Sequence, residues 1–127
     1  MKKIIVTGCN GQLGRAINQV HENSREYECV NTDVAQLDIT NIQDVLKPTD
    51  EVRPYAIINC AAHTNVNACE TDIDNAYRIN AIGPRNLAMV CEELGSKLVN
   101  VSSDYVFDGE PRETQLREYD KVEPQSV

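Results

Sequence analysis

The sequence lacks a long hydrophobic run, a C-x-x-C pair, an excess of positive charge and any internal repeat or low-complexity tract. A membrane-spanning helix needs roughly 20 apolar residues, whereas the first stretch, MKKIIVTGCNG, offers only a short apolar run. We therefore expect neither a signal peptide nor a membrane span. The expected location is the cytoplasm.

The charge balance disfavours anionic macromolecules and membranes as partners. Twelve Lys and Arg residues stand against 20 Asp and Glu residues, which gives a formal net charge of -8. Nucleic acid and anionic lipid surfaces would be repelled, so we expect neither as a partner. An anionic ligand would have to be held by local backbone dipoles rather than by the field of the whole protein.

The cysteines are too scattered to form a recognisable metal or redox motif. There are five of them, and only two histidines accompany them. Zinc sites and disulfide frameworks usually show closely spaced or even-numbered cysteines. This set is typical of reduced thiols that fill small apolar spaces, and we expect no metal site.

The 127 residues do contain an alternation of strand and helix patterns, in a length that suits one domain. Short apolar runs predict strands at 3–7, 28–32, 55–60 and 96–101. Helical periodicity predicts helices at 12–21, at 40–45 with a Thr40 cap and Pro48 helping to end it, and at 72–94 with Gly95 as the C-terminal cap. The alternation is typical of an α/β, Rossmann-type, doubly wound parallel sheet with three layers. Because residues 110–127 show no periodicity, the sheet is predicted to stop after about four strands.

A glycine-rich turn, TGCNGQLG, follows the first predicted strand and opens the first predicted helix. Gly8 would permit the sharp turn, Gly11 would let the backbone approach a pyrophosphate, and Gly14 would let helix and strand pack closely. The N–H groups at the start of the helix would then face the phosphates. The spacing is G-x-x-G-x-x-G, one residue longer at its first step than the usual dinucleotide fingerprint G-x-G-x-x-G. A second feature is therefore needed to support a dinucleotide site.

Asp33 supplies that second feature, because it ends the second predicted strand. A carboxylate at this point can bind the adenosine ribose hydroxyls and repel a 2′-phosphate. The pattern predicts NADH or NADPH as cofactor, with NADH favoured. The alternative is that Asp33 is a solvated turn residue.

Five segments occur in the order known from one enzyme family: VTGCNGQLG, DIT, NCAAHTNVNACE, NAIGPRNLA and VSSDYVFDG. Through them the whole chain resembles the extended short-chain dehydrogenase/reductase superfamily and, within it, the dTDP-4-dehydrorhamnose reductases. The resemblance implies an NAD(P)H-dependent oxidoreductase that converts a dTDP-linked 4-keto-6-deoxy sugar, dTDP-4-dehydro-L-rhamnose, to dTDP-L-rhamnose. The residues that it places at the cofactor are Gly8, Gly11, Gln12, Leu13, Gly14, Asp33, Asp38, Ile39, Ala61, Ala62, His63 and Thr64.

The resemblance also implies catalytic and substrate-binding residues. Ser103 falls at the catalytic Ser/Thr position, where relatives usually carry Thr, and either hydroxyl can hydrogen-bond a ketone oxygen. Asp104 and Tyr105 would line the sugar-nucleotide site. Asn80 would hold a water of the proton relay through its main-chain carbonyl, which is left free because Pro84 has no N–H to donate and should kink the helix. A kink without a chemical role is the alternative.

One expected motif does not occur. The superfamily uses a Tyr with a Lys four residues later, and none of the five tyrosines here has that lysine. We therefore expect residues 1–127 to be the N-terminal part of an NAD(P)-binding Rossmann domain, without the C-terminal substrate-binding part and inactive as a reductase alone. The incomplete sheet would leave apolar surface uncovered, which predicts a homo-oligomer or aggregation.

Two other functions share most of these motifs. A sugar-nucleotide epimerase or dehydratase is less favoured, because GQLG and DYVFDG occur together. A non-catalytic dinucleotide-binding subunit of the same fold, such as the regulatory subunit of methionine adenosyltransferase, stays open because the Tyr/Lys pair is missing.

Overall fold

The computed structural model describes residues 1–127 and contains one sheet of four parallel strands in the order β2-β1-β3-β4. The strands are β1 (Lys2–Thr7), β2 (Tyr27–Asn31), β3 (Ala56–Asn59) and β4 (Lys97–Asn100). The helices are α1 (Gln12–His21), α2 (Ile42–Val52), α3 (Val66–Cys69), α4 (Ile73–Tyr77) and α5 (Gly83–Leu94), with a π-helical turn at Arg78–Ile82 and a 3-10 turn at Asp104–Val106. The predicted Rossmann-type α/β fold with four parallel strands is confirmed.

The core lies on the face of the sheet that α2 and α5 cover. Ile5 of β1 is paired with Ile57 of β3, and Ile57 is paired in turn with Leu98 of β4. Ile5 and Ile57 are fully buried and pack with Val45 of α2 and Leu87 of α5. Side chains alternate along a strand, so the neighbouring strand residues point to the opposite face, where the right-handed crossover from β1 to β2 places α1.

The strand order changes direction at β1, because β2 pairs on one side of β1 and β3 on the other. All the strands remain parallel. In open α/β sheets this arrangement leaves a crevice outside the carboxyl ends of the two central strands, where ligands bind. Here the crevice lies between Gly8, which follows β1, and Cys60, which follows β3.

The start of α2 differs from the prediction. Asn41, not Thr40, is the N-cap, and its side-chain oxygen accepts a hydrogen bond from the N–H of Gln43 at 3.1 Å. The Thr40 hydroxyl instead donates to the Asp38 carboxylate at 2.7 Å. The predicted cap was wrong because the helix begins at Ile42, which makes Asn41 the flanking residue with the extended N-cap conformation.

The end of α2 also differs, because Pro48 lies inside the helix and does not end it. The Thr49 hydroxyl donates to the carbonyl of Val45 at 2.6 Å, within the turn that contains the proline. The helix ends at Arg53, which has φ 50° and donates its N–H to the carbonyl of Thr49. Pro54 follows immediately, where a proline commonly stops a helix.

The third predicted helix is present but irregular. It begins at Ile73, widens into the π-helical turn, and resumes as α5 with Pro84 in its first turn. The N–H of Gly83 donates to the carbonyl of Arg78, five residues earlier. The irregularity occurs directly before Pro84, and Gly95 caps the C-terminus with φ 70° as predicted.

None of the helices combines the length and apolar character needed to cross a membrane.

Candidate dinucleotide site at the carboxyl ends of β1, β2 and β3

The glycine turn leaves β1 at a point where only a glycine fits. Gly8 has φ 59°, in the left-handed region that L side chains rarely adopt. A Cβ atom on Gly8 would lie 2.8 Å from the backbone nitrogen of Ala61. The loops that follow β1 and β3 can therefore approach each other only because residue 8 has no side chain.

The same turn is fastened to its neighbours on both sides. The N–H of Cys9 donates to the carbonyl of Thr32 at 3.1 Å, which ties the turn to the end of β2. Gly14 is buried, and a Cβ atom there would lie 2.6 Å from the Cα of Cys9. Close packing of the helix against the strand was assigned to Gly14, whereas the close approach observed is to the turn at Gly8 and Cys9, directly after β1.

The first turn of α1 faces this region with backbone donors. Gly11 is the extended N-cap residue, and Gln12 and Leu13 open the helix. N–H groups in the first turn of a helix have no partner within that helix, and the helix dipole makes this end positive. An acidic protein can therefore offer a local anion-binding surface here.

Asp33 lies beside the glycine turn, two residues after the end of β2, and is half-buried. One carboxylate oxygen accepts from the side-chain amide of Asn10 at 2.9 Å, and the other accepts from the N–H of Val34 at 2.9 Å. Its own N–H donates to the side-chain oxygen of Gln36 at 2.9 Å. Asp33 is therefore a held side chain and not a freely solvated one.

A row of hydrogen bonds that the sequence did not predict crosses the carboxyl ends of three strands. The buried hydroxyl of Thr7 donates to the side-chain oxygen of Asn59 at 2.6 Å, and the N–H of Ala61 donates to the same oxygen at 3.2 Å. The amide nitrogen of Asn59 donates to the side-chain oxygen of Asn100 at 2.8 Å. Asn59 thus joins the loop after β3 to β1 and β4, and its only sequence signal was a polar residue at the end of an apolar run.

The loop after β3 is also held from the other side, by the helix that contains the π-helical turn. The side chain of Asn80 accepts from the N–H of His63 at 2.8 Å and donates to the His63 carbonyl at 2.9 Å. The His63 ring faces the Asp72 carboxylate at 3.5 Å. Asn80 therefore contacts the predicted cofactor loop through its side chain, while the role of its main-chain carbonyl stays a prediction.

A cleft of about 300 Å³ opens between these elements. Its lining residues are Gly8, Gly11, Asp33, Val34, Leu37, Asp38, Ile39, Thr40, Cys60, Ala61, Ala62 and Ile79. Seven of them were predicted as cofactor residues. The predicted cofactor residues that lie outside the lining are Gln12, Leu13, Gly14, His63 and Thr64.

The predicted Ile39 forms an apolar wall of the cleft together with residues that the sequence did not predict, Leu37, Cys60 and Ile79. Leu37 and Ile39 are buried, and Ile79 comes from the π-helical turn, whose position the sequence did not show. Burial raises the pKa of the Cys60 thiol, so this group lines the cleft in its neutral form. A wall of this kind, with Asp33 and Asp38 at its rim, suits a flat aromatic group that carries hydroxyls.

The predicted catalytic segment follows β4 and is exposed. The oxygen of Ser103 caps the 3-10 turn by accepting from the N–H of Tyr105 at 3.1 Å. Its hydroxyl contacts the Asp104 carboxylate only at a long 3.5 Å. None of these three residues lines the cleft, but β4 places them at the same edge of the sheet.

Comparison with known proteins identifies the family to which this chain is similar. Residues 1–127 match the family described as the RmlD substrate binding domain. A dTDP-4-dehydrorhamnose reductase of Aggregatibacter actinomycetemcomitans is 36% identical, covering 100% of this chain and 43% of that protein.

Solved structures agree. A dTDP-4-dehydrorhamnose reductase of Clostridium acetobutylicum has a TM-score of 0.92 and 51% identity, covering 98% of this chain and 44% of that one. A dTDP-4-dehydrorhamnose reductase of Bacillus anthracis, solved in complex with NADP, has a TM-score of 0.91 and 44% identity over the same shares of the two chains. The chain thus spans less than half the length of these relatives. Since the family match extends over all of its residues, the chain belongs to the RmlD substrate-binding-domain family.

Proposed function

We propose that residues 1–127 form the dinucleotide-binding part of an NAD(P)H-dependent reductase of the short-chain dehydrogenase/reductase type, which converts dTDP-4-dehydro-L-rhamnose to dTDP-L-rhamnose. The observation that carries the proposal is the glycine turn at the switch point of the sheet, with Asp33 held beside it. The names of the relatives and the NADP complex of one of them support it.

Residues of this geometry suit three parts of the cofactor. Gly11, Gln12 and Leu13 would hold the pyrophosphate, because first-turn N–H groups and the helix dipole favour negative charge. Asp33 would accept hydrogen bonds from the adenosine ribose hydroxyls. Asp38 and Ile39 would lie beside the adenine.

The catalytic segment would orient the sugar. A bound dinucleotide would supply the hydride that reduces the C4 ketone. Ser103 uses its oxygen as an acceptor for the Tyr105 N–H, and its proton meets Asp104 only at 3.5 Å. The Ser103 proton is therefore available to a ketone oxygen, while Asp104 and Tyr105 contact the sugar.

We further propose that residues 1–127 alone bind the cofactor but do not catalyse reduction of the sugar. Protonation of the reduced ketone needs a positioned acid, and no tyrosine here is followed by a lysine four residues later. The second candidate is a dinucleotide-binding subunit of the same fold without catalysis. Both candidates require cofactor binding at the cleft, and they differ only in the reaction of the whole protein.

Titration calorimetry with NADPH and NADH tests the proposal. We expect one dinucleotide bound per chain, with no NADPH oxidation when dTDP-4-dehydro-L-rhamnose is added. Absence of binding by either dinucleotide contradicts the proposed function. Binding with steady oxidation contradicts only the statement that these residues are inactive alone.

A further inference from the structure

Asn10 belongs to the glycine turn, but contact of this turn with the pyrophosphate does not explain what its side chain does. Its side-chain amide reaches across to the end of β2 and donates to Asp33 at 2.9 Å. The second carboxylate oxygen of Asp33 is already held by the N–H of Val34. Each oxygen of the predicted ribose ligand thus accepts one hydrogen bond without any cofactor, and each keeps a further lone pair for a ribose hydroxyl.

The backbone around this pair fixes its position. The turn is anchored to Thr32 through the N–H of Cys9, and Gln36 accepts from the N–H of Asp33. The Asp33 carboxylate therefore cannot change its direction freely. Of the two donors to this carboxylate, the Val34 N–H belongs to the backbone and Asn10 is the side chain, so Asn10 is the donor that a substitution can remove.

We propose that Asn10 sets the cofactor selectivity of the site by holding the Asp33 carboxylate, so that NADPH is accepted together with NADH. This inference rests on the proposed function. A carboxylate at this position repels a 2′-phosphate, and an amide N–H on one of its oxygens offsets part of that charge and directs the oxygen toward the turn. Asp33 by itself predicts a preference for NADH, and the contact with Asn10 weakens that preference.

Dissociation constants for NADPH and NADH, measured by calorimetry on the full chain, test the inference. Hydrogen bonds to charged groups are stronger than neutral ones but lose strength with exposure. We therefore expect Asn10→Ala to raise the ratio of the NADPH to the NADH constant by about fivefold. In an Asp33→Ala background the same substitution should leave the ratio unchanged, because Asn10 acts through Asp33.

Asn18→Ala is the matched control. Asn18 on α1 also pairs through its side-chain amide with the β2 strand, at Asn31, but it does not line the cleft. The ratio should not change in this variant. Asn10 is exposed and has no positive φ, so alanine should be accepted there. Asn10→Ser, whose side chain is too short to span the same gap, replaces it if the alanine variant does not fold.

Two results overturn the inference while leaving the proposed function intact. One is an equal change of both dissociation constants in Asn10→Ala, which indicates a structural role only. The other is a change in the ratio that persists without Asp33. If the unsubstituted chain binds neither dinucleotide, the proposed function fails and the inference fails with it.

Discussion

At the scale of single residues, Asp33 is the side chain that most supports the proposed dinucleotide site at the glycine turn. Its carboxylate lies at the rim of the cleft and is held in a fixed direction by Asn10 and Val34. Asp33→Ala removes the proposed acceptor for the ribose hydroxyls and should weaken NADH binding by about 1–2 kcal/mol, the scale of a charge-assisted hydrogen bond at a half-buried position. Any preference for NADH over NADPH should also narrow. Unchanged calorimetric affinities for both dinucleotides would refute the assignment.

Gly8 makes a second prediction at this scale. Gly8→Ala would place a Cβ atom 2.8 Å from the nitrogen of Ala61 in a left-handed conformation. The loops after β1 and β3 must then separate, so we expect a lower melting temperature and loss of NADPH binding. Gly109→Ala is the control, because Gly109 also has positive φ, at 79°, but nothing lies within 4 Å of its Cβ position.

Backbone strain alone should therefore give Gly109→Ala a modest loss of stability with binding retained. Gly8→Ala should differ from it by the loss of binding. If both variants bind NADPH equally well, the close approach of the two loops is not needed for the site.

At the scale of elements, the N-cap of α2 can be tested by mutation. The sequence pattern placed this cap one residue earlier, at Thr40. Asn41 accepts from the N–H of Gln43, and Thr40 does not cap the helix. Asn41→Ala should lower the free energy of unfolding by about 1 kcal/mol, the usual cost of a lost N-cap. Urea denaturation measures this, with Asn23→Ala at another exposed position as the control. A cost no larger than that of the control would contradict the cap.

The elements show which parts of the fold can be predicted from sequence. The four strands could be placed because buried parallel strands are continuous apolar runs, which local periodicity reveals. The end of α2 could not, because Pro48 is accepted inside the helix and the cap at Arg53 has no glycine signal. The π-helical turn was missed for a similar reason, since it keeps the helical pattern and changes only the hydrogen-bond register.

The site could be predicted in part for a related reason. Gly8, Gly11 and Asp33 carry short-range signals, since each follows a strand in a recognisable motif. The bridge of Asn59 to Thr7 and Asn100 joins residues far apart in the chain and depends on the strand order. The apolar wall of the cleft likewise forms only when the loop after β2 meets the π-helical turn.

At the scale of the whole molecule, the sheet is covered unequally. Val99 in β4 and Val101 just after it are 49% and 52% exposed. Leu98 points instead into the core that α2 and α5 cover, so Val99 lies on the opposite face, where α1 packs against β2 at the far side of the sheet. β4 also pairs on one edge only.

An uncovered apolar face beside an open strand edge favours association of copies of the chain. We expect concentration-dependent self-association in sedimentation velocity, reduced by the double substitution Val99→Lys and Val101→Lys. Val20→Lys is the control for added positive charge, since Val20 is 78% exposed on α1. A monodisperse monomer over the whole accessible concentration range would contradict the expectation.

The proposed function requires that a dinucleotide binds at the crevice between β1 and β3. Backbone amide NMR shifts, recorded while NADPH is added, test it most directly. We expect saturable shift changes at Gly8, Gly11, Asp33 and Ala61, which line the cleft, and little change at Gly95, which caps the C-terminal end of α5 and does not line it. Saturable binding that leaves these four amides unchanged, or no binding at all, would contradict it.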